Sequence, residues 1–100
     1  MSAARQVWRG LCMASLKGAT AIDDLKSFAA RAEYAPFPAE LGFAAGEYAR
    51  ALRSCARAWA RLDNIDARHV YTPALHALAN LVWVLLEPAA SGRRRSDLDG

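Results

Sequence analysis

The sequence predicts an all-α fold, a compact array of about four principal helices, on three observations. Alanine, the best helix former and small enough to let helix backbones approach, supplies 23 of the 100 residues. Between Leu41 and Leu62, the positions Leu41, Tyr48, Leu52, Cys55, Trp59 and Leu62 share one arc, while Arg50, Arg53, Arg57 and Arg61 lie opposite. Helix-ending and helix-starting residues recur between the apolar segments, at Gly18, Thr20, Pro36, Pro38, Thr72-Pro73 and Pro88. The composition favours helix packing over a sheet.

The first helix covers roughly 2–17, with Val7, Trp8, Leu11, Cys12 and Ser15 on one side. Gly18 is placed to close it in a left-handed cap. Thr20 and Asp23 have the spacing of a capping box, which starts a second helix over 20–35. Its inward positions are Ile22, Leu25, Phe28, Ala29 and Ala32, and Asp23 and Asp24 suit the positive end of its dipole. Pro36 ends it, because the residue before a proline is pushed out of helical geometry.

Pro38 then suits the first turn of a third helix over 39–62. Alanines flank its apolar stripe on both sides: Ala44, Ala51 and Ala58 on one, Ala45, Ala49, Ala56 and Ala60 on the other. So wide an arc implies more than one neighbouring helix, and makes this segment the backbone of the fold. Residues 63–70 read as a short helical turn capped by Asp63, and Thr72-Pro73 as the start of a fourth helix over 73–87. Leu75, Leu78, Leu81, Val82, Leu85 and Leu86 cover most of that helix's circumference, so it is expected to be the most buried. The chain reads as one domain over 1–88, with residues 89–100, including Arg93-Arg94-Arg95-Ser96, expected to be a disordered tail.

The formal charge of +3 is mildly basic, and 11 of the 13 basic residues are Arg. Arg9 and Lys17 interrupt any secretory core at the N-terminus. Residues 1–22 carry basic residues and no acid before Asp23, as mitochondrial presequences do, but they also hold the core face of Trp8, Leu11 and Cys12. The most apolar run, Leu81 to Leu86, falls short of the roughly 20 residues a membrane span needs. Cys12 and Cys55 sit on apolar helix faces and read as free thiols, so a cytoplasmic location without membrane contact is expected.

Two surfaces stand out as partner-binding candidates. The Arg50, Arg53, Arg57 and Arg61 row spans about 16 Å and could meet an acidic protein surface or a phosphate backbone. Reading of base edges is not expected from it, because the first turn of that helix offers an acid, Glu40, and no suitable donor. On the fourth helix, His76, Asn80, Trp83 and Glu87 align on one ridge, a Trp beside polar groups as at protein interfaces.

Chemistry is less well supported. Asp66, His69 and His76 are too few for a metal site, and Pro73 is expected to part the two histidines. No base stands within reach of a nucleophile, and no cofactor motif occurs. The Trp8-Arg9-Gly10 triplet resembles the turn signature of small secreted helical-hairpin proteins; there it joins two long helices, whereas here it lies inside the first helix.

The expected role is therefore a small non-enzymatic interaction module (an adaptor, inhibitor or regulatory subunit) that binds another protein, with self-association into a homodimer as a further expectation. The alternative is a nucleic-acid-associated regulator that uses the arginine row for phosphates.

Overall fold

Four helices form a ring in which each packs chiefly on its two neighbours. The computed structural model describes residues 3–87; the expected tail lies outside these residues. Helix α1 spans Ala3–Lys17, and a 3₁₀ turn over Gly18–Ala21 leads into α2, Ile22–Ala32. A second 3₁₀ turn, Ala39–Leu41, precedes α3, Phe43–Arg61, and α4 covers Ile65–Leu86. Helix α1 packs on α2 and α4, and α3 packs on the same pair. No strand occurs among the described residues. The all-α expectation holds.

The core is drawn from all four helices. Trp8, Leu11 and Cys12 of α1 meet Leu25 and Ala29 of α2, Leu52, Ala56 and Trp59 of α3, and Leu75, Val82 and Leu86 of α4. Trp8 also donates to the Ala35 carbonyl at 3.0 Å and meets the Phe37 ring edge-on, which ties the proline-rich connector to α1. At Gly10 the α1 backbone comes so close to α2 that an added Cβ would overlap the Phe28 ring.

Several boundaries differ from expectation, each for a physical reason. Gly18 does take the left-handed conformation, at φ 62°. Thr20 closes α1 instead of opening α2: its hydroxyl donates to the Lys17 carbonyl at 3.0 Å. The expected rod over 39–62 is broken at Gly42, whose φ of 97° no helix contains, so α3 begins at Phe43.

The buried arc of α3 is also turned toward one alanine flank. Ala45, Ala49, Ala56 and Ala60 are buried beside Leu52 and Trp59, whereas Tyr48 is exposed. Small side chains let the helices approach on that flank.

Pro73 does not start a helix. It sits inside α4, exposed, so the carbonyl it leaves without a donor can turn to water. The cap is Asn64, whose side chain accepts from the amides of Asp66 at 2.8 Å and Ala67 at 3.4 Å. Thr72 instead donates to the Arg68 carbonyl at 2.8 Å.

One unbroken helix of 22 residues results, with a mean hydropathy of 1.3 over an 18-residue window. By length and composition it could cross a membrane, so the shortness of its most apolar run no longer argues otherwise. Its Leu75, Ala79, Val82 and Leu86 are buried in the core. The rest of α4 is not the most buried part of the fold: Val70, Tyr71, Leu81 and Val84 are all exposed.

Candidate functional site

The arginine row is largely engaged within the molecule. Arg57 donates to a Glu33 carboxylate oxygen, and the Arg53 Nε lies 4.0 Å from the same oxygen. Arg50 pairs with Glu47 at 3.4 Å. Only Arg61 of the four is without an ion pair among the described residues. Glu33 leaves α2 at its C-cap and stands between two shallow grooves of about 610 and 400 Å³, with Arg57 and Arg61 lining the first and Arg50 and Arg53 the second. Three of the four positions expected to grip an acidic partner or phosphates therefore already hold carboxylates. Replacing Glu33 by Gln is expected to cost about 0.5–1 kcal/mol in low salt and less in high salt, as read from urea unfolding, because the pairs are partly solvated.

The α4 ridge is divided too. Arg9 of α1 places its guanidinium carbon 5.3 Å from the Trp83 ring centroid, and its Nε stands 2.9 Å from a Glu87 carboxylate oxygen. Arg5 donates to the Leu86 carbonyl at 3.0 Å beside them. Trp83 and Glu87 thus bind α1 to the end of α4. Asn80 is exposed, and His76 lines a separate pocket together with His69. Because the helix runs through Pro73, the two histidines share one wall, contrary to expectation. No group of three or more His, Cys, Asp or Glu side chains able to hold a metal occurs among the described residues.

A third surface was not anticipated. Along α4, Ala67, Val70, Ala74, Ala77, Leu81 and Val84 follow the alternating three- and four-residue spacing of a coiled-coil seam. Val70 is 73%, Val84 57% and Leu81 39% exposed, so this seam faces outward without a partner helix.

Along α3, Ala44, Tyr48, Ala51, Cys55 and Ala58 repeat the same spacing, continued by Leu62 just beyond it. The Arg53 and Arg57 side of α3 is turned to Glu33 of α2, whereas α4 is met by Trp59, next to Tyr48 and Cys55 around the helix. The two stripes consequently adjoin, with Tyr71, Leu78 and Leu85 on the α4 flank between them. None of these stripe residues is charged, and the one acid on the seam side of α4, Asp66, stands in the helix's first turn, away from the Ala74 to Leu81 centre of the seam.

Neither thiol is poised for chemistry. Burial pushes the Cys12 thiol up to about 12 and raises that of Cys55, so both stay protonated at neutral pH.

Comparison with protein-family models, with curated proteins and with solved structures gives no match to this chain.

Proposed function

We propose that the chain is a non-enzymatic interaction module that docks through the apolar face of α3 and α4, and that the partner is a second copy of itself. The observation that carries this reading is the outward seam Val70, Ala74, Ala77, Leu81 and Val84. Unpaired seams of this spacing bury themselves against another helix, knob into hole.

Three arguments favour a second copy over a foreign protein. A two-fold axis sets like against like near its centre, so any charge there would repel itself; the centre of this seam, from Ala74 to Leu81, carries none. The seam mixes large and small side chains, so antiparallel α4 helices can set Leu81 and Val84 against Ala77 and Ala74. Val70, Leu81 and Val84, with Tyr71 and Tyr48 beside them, give the face large, exposed apolar side chains for a partner to bury.

The test is mass in solution. Light scattering at tens of micromolar is expected to give twice the monomer mass. Leu81→Lys is expected to weaken association at least about 100-fold, because symmetry removes the burial of two leucines and adds two charges. Leu81 points away from the core, so the helical circular dichroism should be unchanged. A wild-type chain that stays monomeric at 100 micromolar overturns the reading, as does a Leu81→Lys chain of unchanged mass. Monomers that float with lipid vesicles would assign the face to a bilayer instead, and overturn it equally.

A further inference from the structure

A pocket of about 150 Å³ lies where the end of α1 meets α4 beside the Trp59 ring. It opens on the flank of α4 away from the proposed dimer seam. Trp59, Ile65 and Ala19 give it apolar walls, and Arg68, His69 and His76 supply nitrogen. Lys17 adds another cation, and no carboxylate lines it.

Two of these nitrogens are unsatisfied. Arg68 Nε and His76 Nε2 are buried without a hydrogen-bond partner. The Trp59 and Thr72 groups beside them are occupied: Trp59 donates to the Arg68 carbonyl at 3.1 Å and to the Thr72 hydroxyl at 3.2 Å. That hydroxyl in turn donates to the Arg68 carbonyl. The Arg68 guanidinium is held in place over the Trp59 ring, its carbon 5.3 Å from the centroid. Buried polar atoms without partners are rare in folded proteins; Arg68 Nε lacks an acceptor, and so does His76 Nε2 in the tautomer that protonates it.

We propose that this pocket binds a small organic carboxylate with an apolar body, of about benzoate size. Two carboxylate oxygens match the planar donor fork of Arg68, and His76 Nε2 can donate in one tautomer. A ring or short alkyl chain meets Trp59 and Ile65. Phosphate suits the pocket less well, since its dianion would shed water against apolar walls and gain few donors. The absence of lining acids leaves nothing to repel the anion.

The test follows the Trp59 indole N–H by NMR as sodium benzoate is added to the full chain, with sodium chloride at equal ionic strength as the control. A saturable shift in the millimolar range is expected, with benzamide and inorganic phosphate at least tenfold weaker. Arg68→Gln should abolish saturation. Because that change also removes the stack on Trp59, His76→Gln provides the second variant, expected to weaken binding about fivefold with the fold intact. A shift no larger than that from chloride overturns the proposal, as does equal binding of benzamide or an unchanged affinity in His76→Gln. None of these outcomes bears on the mass measurement above.

Discussion

Replacing Trp59 by Ala is expected to cost about 3–5 kcal/mol of folding stability. Trp59 is 3% exposed and links three parts of the fold. Its ring fills the core from α3 and lies under Gly18 at the end of α1, while its N–H bonds to the Arg68 carbonyl and the Thr72 hydroxyl of α4. Alanine would leave a cavity and strip the Arg68 guanidinium of the face it covers. Against a typical total of about 5–15 kcal/mol, such a loss leaves a small domain barely folded.

The conservative change separates the two contributions. Trp59→Phe keeps a six-membered ring in the core and loses the N–H with part of the indole's bulk, while the Arg68 carbonyl still accepts from Thr72. It should cost about 1–2 kcal/mol. Urea unfolding followed by circular dichroism measures both. A Trp59→Ala midpoint close to wild type would mean that α3 and α4 are held together elsewhere.

The helices themselves were legible in the sequence because their signals are local. Periodic apolar positions, Gly18 and the prolines lie within one or two turns of what they control. Errors arose where one residue type serves two purposes. Thr20 is a good first cap by identity, yet its hydroxyl finds the Lys17 carbonyl behind it before any amide ahead. Thr72-Pro73 has the form of a helix start, but Asn64 had already opened the helix eight residues earlier, and an exposed proline costs a long, well-packed helix too little to stop it.

That one boundary also hid the outward seam. With the segment divided at Pro73, Val70 belonged to one element and Ala74, Ala77, Leu81 and Val84 to another, so their common spacing could not be seen. Once α4 is continuous, the seam is plain from sequence positions alone. The charged candidates failed for the opposite reason. The row of arginines was placed correctly on one edge of α3, but its counter-ion Glu33 comes from α2, 24 positions before Arg57. Arg9, which engages Trp83 and Glu87, lies further off still, on α1. Nothing in a helix's own periodicity records what a different helix brings to it.

The effect of Gly10→Ala is expected to change sign with the residue at position 28. In an isolated helix interior alanine is better than glycine by about 1 kcal/mol. In the native chain the new methyl would overlap the Cε1 and Cζ atoms of Phe28, whose ring carries the Arg31 guanidinium 4.9 Å from its centroid. The ring cannot move without giving up that contact or its packing on the core, so Gly10→Ala should destabilise by about 1–3 kcal/mol. In a Phe28→Ala background the obstruction is gone. There the same substitution should stabilise by about 0.5–1 kcal/mol, the helix propensity acting alone. The resulting cycle has a coupling energy of about 1.5–4 kcal/mol between two residues on different helices, well above the scatter for independent sites. Equal effects in both backgrounds would show that α1 and α2 do not approach at this point, and that the glycine is there for some reason other than the ring.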